Sequence, residues 1–151
     1  LSTFADSSAL VKLYADEAGH EQIRTLESLA VAQLARVEVP AALWRKQRMG
    51  ELSPNDARVL TSDFEADYFG TDSEPPRFAA VAATGHVLDE AVRLCASRGL
   101  RACDAVQLSS ALAVRRADER CTAFAAFDDS LRTAAAVEGF GLVPPDVPGR
   151  S

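Results

Sequence analysis

Cysteine, histidine and lysine are scarce in this sequence, and long apolar runs are missing from it. Three cysteines, Cys95, Cys103 and Cys121, stand too far apart for a CxxC pair, and their number is odd. Buried free thiols in a reducing compartment are therefore expected, not a disulfide framework. The two histidines, His20 and His86, lie alone in different segments, which argues against zinc held by His and Cys. No stretch of 18 apolar residues occurs, so no membrane-spanning helix is expected. The opening LSTFADSSALVKLY has neither a basic leader nor a cleavage site. No secretion signal is read from it, a cytoplasmic protein is expected, and the start at Leu1 reads as trimmed. Internal repeats and low-complexity tracts are absent.

What is present is ordinary in bulk. A length of 151 residues suits one domain with one core, and 48% apolar with 25% charged residues is a globular composition. Net charge is −6, from 22 acids and 16 bases, which as a sum disfavours a nucleic-acid partner. The bases nevertheless cluster: Arg45, Lys46 and Arg48; Arg93, Arg98 and Arg101; Arg115, Arg116 and Arg120. A solvated helix face is the plain alternative for each cluster.

Periodicity and punctuation predict a string of alternating elements. Residues 3–6 (TFAD) read as a buried strand ending at Asp6, followed by a helix capped by Ser7 or Ser8 and carrying Leu10, Val11 and Tyr14 to a break near Gly19. A helix is predicted over 20–29 with Ile23, Leu26 and Leu29 inward, and a short strand at 30–32. Residues 34–49 read as a long helix, kinked or restarted at Pro40 and ended by Gly50. Ser53, Pro54 and Asp56 open another helix reaching Phe69, with Val59, Leu60 and Phe64 inward; the two form an αα-hairpin. After a polar loop at 70–76, residues 77–83 read as a weaker strand or an extended entry to the next helix. A helix at 85–98 turns Val87, Leu88, Ala91, Val92 and Cys95 inward and stops at Gly99. Another helix (102–116), a buried strand (121–127), a helix capped by Asp and closed at Gly139, and a last strand at Leu142–Val143 complete a domain over 1–143. The tail 144–151, PPDVPGRS, is expected to be disordered. Strands alternating with helices imply an α/β domain around a mainly parallel sheet.

Four carboxylates stand out. Asp6 and Asp128 each follow a buried strand, where open α/β sheets bind ligands; capping the next helix is the plain role for either one. Glu38 shares a helical face with Leu34, Ala35, Ala41 and Ala42, and Asp104 with Leu100, Leu108, Ala111 and Leu112. A carboxylate on an apolar face costs several kcal/mol unless paired, and apart from Arg101 near Asp104 no base lies within a turn on those faces. A shared cation would satisfy both acids. Oxygen ligands alone select Mg²⁺ or Mn²⁺, and such a site suits phosphodiester hydrolysis. Close acids also raise one another's pKa until the cation arrives.

Four segments carry a resemblance: FADSSALVKLYADEAG at 4–19, LARVEVPAAL at 34–43, LRACDAVQLSSAL at 100–112 and FDDSLRTAAAVEGFGLV at 127–143. In these, and in their order, the chain resembles the PIN-domain family, and within it the VapC-type toxins of bacterial toxin–antitoxin pairs. The resemblance implies a three-layer domain, a parallel sheet flanked by helices, with an αα-hairpin that pairs subunits into a homodimer. Asp6, Glu38, Asp104 and Asp128 become the acidic set, Asp6 and Asp104 the principal ligands of Mg²⁺ or Mn²⁺, and Ser8 a supporting hydroxyl. It further implies an endoribonuclease that hydrolyses RNA phosphodiester bonds, leaves a 5′-phosphate and a 3′-hydroxyl, inhibits translation, and is blocked by a cognate VapB-type antitoxin whose helix lies in an apolar groove. This chain has Ala126 where members often carry Ser or Thr two residues before the fourth acid, and Ala32 and Ala35 where polar residues often precede the helical Glu.

Other readings of strand-end aspartates fit less well. A haloacid-dehalogenase-type phosphotransfer domain needs a second Asp two residues after the first, where this chain has Ser8. A receiver domain would want a Lys near the last strands, and the only lysines are Lys12 and Lys46. A non-catalytic PIN-like binding module stays open as the alternative to the nuclease.

Overall fold

A computed structural model of the chain describes residues 2–146. Five strands form one sheet: β1 (Ser2–Ala5), β2 (Leu29–Ala32), β3 (Phe78–Val81), β4 (Cys121–Ala125) and β5 (Gly141–Val143). Their order is β3-β2-β1-β4-β5 and every neighbouring pair is parallel. The fold is α/β with a parallel sheet flanked by helices, as expected. Short strands buried on both faces are what such a sheet requires, and β2, LAVA, is buried at all four positions.

Alternation along the strands divides the core into two layers. Phe4, Ala30, Ala32 and Phe124 face one side, where α5 (Gly85–Arg98), α6 (Ala102–Ala117) and α7 (Asp129–Val137) supply Ala91, Leu94, Leu108, Leu131 and Ala135. Ala5, Leu29, Val31 and Ala125 face the other, against α1 (Ser7–Val11), α2 (His20–Arg24), α3 (Ala35–Arg48) and α4 (Pro54–Phe69), with Leu10, Ile23, Val39, Leu43 and Phe64. The connections run outward from β1 through β2 to β3, then return past β1 to β4 and β5. The direction of winding therefore reverses between β1 and β4. The crevice beyond the C-terminal ends of those two strands is where doubly wound sheets bind ligands.

Several local expectations change. The helix expected at 20–29 is the single turn-and-a-half of α2, and Leu29 opens β2 instead. α3 runs through Pro40 without a break; the carbonyl that a proline leaves unbonded belongs to Arg36, which is exposed and open to water. On α4, Phe64 is fully buried but Val59 is 50% exposed. On α5 the buried stripe is Val87, Ala91 and Leu94, while Leu88 and Val92, expected inward, point out. Of the thiols, Cys121 is buried, Cys95 half-buried and Cys103 exposed, and all three are free.

The loop between α1 and α2 is fastened beside the crevice. Glu17 bridges Lys12 (2.9 Å) and Lys46, and Lys46 also reaches Glu51 at 3.1 Å. The Lys12 ammonium lies 4.1 Å from the centre of the Phe127 ring. Gly19 has a φ of +88°, and a Cβ there would stand 2.6 Å from Phe127 Cε1, so only glycine fits. At the other end of the chain, buried Arg132 donates to the carbonyls of Ala126 (2.8 Å), Pro144 (2.7 Å) and Pro145 (3.1 Å). Pro144 is fully buried, so the segment expected as a tail begins with packed residues; 147–151 lie outside the described residues.

Candidate active site

Asp6 stands at the first residue past β1, and its backbone N–H continues the pairing with β4 by donating to the Ala125 carbonyl at 3.0 Å. Its Oδ1 accepts from the Ala9 N–H at 2.9 Å and from the Ser8 hydroxyl at 2.7 Å. Asp6, not Ser7 or Ser8, is therefore the cap of α1. The Ser8 hydroxyl also accepts from the Phe127 N–H at 3.3 Å, tying the end of β1 to the loop after β4. Ser8 thus fixes one oxygen of Asp6.

Burial pushes the Asp6 carboxyl up from its usual 3.8 to about 7; the bonds from Ala9 and Ser8 pull against this, and the charges of Asp104 and Glu38 add to it. The same two acids, after partial burial, raise the exposed Cys103 thiol. Asp6, Glu38 and Asp104 therefore occupy one neighbourhood, reached from α1, α3 and α6.

Each acid is held through one oxygen. Glu38 Oε1 accepts from the Ser7 hydroxyl at 2.9 Å and from Gln107 Nε2 at 2.8 Å. Asp104 Oδ2 accepts from Arg101 Nη2 at 3.3 Å and Nε at 3.4 Å. Asp128 Oδ2 accepts from the Leu131 N–H at 3.0 Å and caps α7, while Arg101 Nη2 stands 3.9 Å from its Oδ1. Asp129 begins that helix, so the capping duty rests on Asp128. The Arg101 side chain is 81% exposed, and pairs of that kind are weak.

These partners alter one premise read from the sequence. Glu38 and Asp104 are not left unpaired on their apolar faces: Glu38 is met by neutral donors from α1 and α6, and Asp104 by Arg101. Gln107 is the residue that sequence reasoning missed, although it lies one turn beyond Asp104 on the same face. The three alanines noted above, Ala32, Ala35 and Ala126, are fully buried apolar core.

No family model matches the chain, and no curated protein matches it. Among solved structures it is similar to PAE2754 from Pyrobaculum aerophilum, with a TM-score of 0.55 and 23% identity over 89% of this chain and 79% of that one. The likeness shows the fold.

Can the acids hold a cation? Among the described residues, Asp6 Oδ2, Glu38 Oε2 and Asp104 Oδ1 accept no hydrogen bond from the protein. None of the three is sealed in the interior, since the buried side-chain atoms without a partner there are Thr61 Oγ1 and Gln107 Oε1. Hard oxygen donors with a lone pair left free by the protein suit Mg²⁺ or Mn²⁺. Spacing is the other requirement, and no three His, Cys, Asp or Glu side chains among the described residues are grouped closely enough to hold one ion as they stand. The residues fit a hard cation by donor chemistry, in an open arrangement.

A groove of about 530 Å³ begins at Glu38 and is lined by Ala41, Ala42, Arg45, Arg48 and Met49, with Glu17, Lys46 and Glu51 along it. Lys46 is spent on its two glutamates. Arg45 and Arg48 make no ion pair among the described residues. No described helix is long and apolar enough to cross a membrane.

Proposed function

We propose that this chain is a metal-dependent endoribonuclease of the PIN-domain family, the VapC-type toxin of a toxin–antitoxin pair. The observation that carries this reading is the shared neighbourhood of Asp6, Glu38 and Asp104 beside the β1/β4 crevice, each held through one oxygen with the other free of a protein hydrogen bond among the described residues. Asp6, Asp104, Glu38 and Asp128 would hold Mg²⁺ or Mn²⁺, which supplies a more acidic bound water and neutralises charge on the phosphoryl group. The chain's own residues do the rest. Burial raises the Asp6 carboxyl to about 7, and nearby positive charge would favour its ionised form. Arg101, exposed, carries a guanidinium to the mouth of the site, where it can meet a phosphate oxygen. Arg45 and Arg48 offer unspent charge along the groove leading away from Glu38, suited to the RNA backbone.

Homodimer and antitoxin belong to the same proposal. Val37, Met49, Val59 and Phe69, four of the exposed large apolar residues, lie on the hairpin of α3 and α4 or at its turn. They suit pairing with a second copy, and a VapB-type antitoxin would close the site to RNA.

One observation favours a non-catalytic binding module instead: Arg101 already serves as counter-ion to Asp104 and Asp128, and the acids are not drawn together. Brief induction in cells lacking the antitoxin, followed by sequencing of RNA 5′ ends, separates the two. New 5′ ends that vanish with Asp104→Asn support the nuclease; identical profiles for wild type and variant reject it.

A further inference from the structure

Gln107 is 2% exposed on α6, and its amide is the least expected feature of the site. Nε2 donates to Glu38 Oε1 at 2.8 Å and to the Ser7 hydroxyl at 2.9 Å, and that hydroxyl donates to the same Glu38 oxygen at 2.9 Å. Three side chains from α1, α3 and α6 thus close a triangle on a single carboxylate oxygen. The orientation of the amide is fixed by this: its carbonyl turned toward Glu38 would set two acceptors against each other. Gln107 Oε1 is consequently buried with no partner among the described residues. Leaving a buried acceptor unmet is costly, and an apolar side chain of the same length would avoid the cost. Packing alone does not call for glutamine here.

We propose that Gln107, with Ser7, is a positioning residue: it immobilises one oxygen of Glu38 so that the other, Oε2, stays directed at the cation and substrate. The role rests on the nuclease reading and deepens it. It accounts for a neutral donor where a lysine or arginine would bind Glu38 more strongly. A cationic partner would neutralise Glu38 and compete with the metal; an amide fixes its direction and leaves its charge available. Partners that orient metal ligands in this way typically change metal affinity or activity by about 10–100-fold when removed.

The test uses the whole chain and three variants. Gln107→Met keeps length and apolar packing but removes the donor. Ser7→Ala removes the second donor from a half-buried site. The exchange Glu38→Gln with Gln107→Glu keeps a hydrogen bond between the two positions with its polarity reversed. Mn²⁺ affinity is read by calorimetry, RNA cleavage as separate kcat and KM, and folding by thermal melts; the side-chain amide resonance of Gln107 is followed by NMR. In wild type that resonance should be protected from exchange and should shift on Ser7→Ala. Gln107→Met should weaken Mn²⁺ binding and lower kcat by about tenfold or more, with KM for RNA changed less than about twofold. Ser7→Ala should act in the same direction and more weakly. The exchange variant should melt near wild type yet recover neither Mn²⁺ affinity nor kcat. If Gln107→Met does not fold, Ser7→Ala and the exchange variant decide the matter by the same readouts. Wild type that binds Mn²⁺ with an affinity shared by the folded variants overturns the positioning role alone. Wild type that neither binds Mn²⁺ nor cleaves RNA overturns the nuclease reading together with it.

Discussion

Replacing Asp6 by Asn isolates the electrostatic cost of the site. Asn caps helices about as well as Asp, and its Oδ1 can keep the bonds from Ala9 N–H and the Ser8 hydroxyl, so the substitution removes charge and little else. In wild type the carboxyl rises from 3.8 to about 7 on folding. The folded state therefore binds this proton more tightly than the unfolded chain does. Its contribution to stability is complete below pH 3.8 and is lost as pH rises through 7. At about 1.4 kcal/mol per tenfold change in proton affinity, the full loss is about 4 kcal/mol. Asp6→Asn has no such proton to lose. The variant should match wild type near pH 4 and be the more stable by up to about 4 kcal/mol at pH 8, without metal. For a domain of this size that is a rise in melting temperature of about 8–16 °C. Melts followed by circular dichroism at unit steps from pH 4 to pH 8, in EDTA, measure the difference directly. Saturating Mn²⁺ should narrow it by stabilising wild type alone, by about 2.7 kcal/mol at a hundred times its Kd. Parallel stability curves for the two proteins from pH 4 to pH 8 would refute the reasoning.

Glu17→Gln strips two lysines of their shared partner, one of them buried, and should cost about 1–3 kcal/mol at pH 7 in urea unfolding. Burial works to raise Glu17, but its bonds to Lys46 and Lys12 outweigh that and lower it below the usual 4.5. The stability it supplies is thus present above pH 4.5 and lost as pH falls through the lowered value, so the gap should close on acidification below that range. Asp128 caps α7, and in the proposed nuclease it is also one of the acids, so Asp128→Ala should lose about 0.5–2 kcal/mol and most cleavage, whereas Asp128→Ser should retain the cap and still lose cleavage; equal cleavage by Asp128→Ser and wild type would remove Asp128 from the site. Light scattering at tens of micromolar should give a dimer for wild type and a monomer for Val59→Glu with Phe69→Glu; a monomeric wild type would count against the hairpin as an interface.

Most of the sheet was legible because short apolar runs such as LAVA and the end of CTAFA mark strands buried on both faces, and the start of α4 because Ser53 and Pro54 combine a side-chain cap with a proline that needs no N–H. The phase of α5 was not. Val87, Leu88, Ala91, Val92 and Leu94 make a band wider than α6 covers, and nothing local says which edge of it is left outside. The cap of α1 was hard to place because the residue after a parallel strand suits both ligand binding and helix capping, and Asp6 takes the cap. Glu38 looks unpaired in the sequence because no charged partner lies within a turn of it on that face. Its actual donors lie 31 and 69 residues away in sequence. The available signal was Gln107 itself, an uncharged polar residue on the apolar face that Asp104 shares with Leu108 and Ala111.

The central claim is that these carboxylates hydrolyse RNA with a divalent cation. Purified wild type and Asp104→Asn, each incubated with structured RNA in EDTA and in millimolar Mn²⁺, put it to the most direct test. Asp104→Asn should stay folded, because loss of one acid relieves repulsion on Asp6. The expected result is cleavage by wild type in Mn²⁺ alone, leaving 5′-phosphate and 3′-hydroxyl ends, and none by the variant. Cleavage that persists in EDTA, or that Asp104→Asn performs at the wild-type rate, would contradict the account.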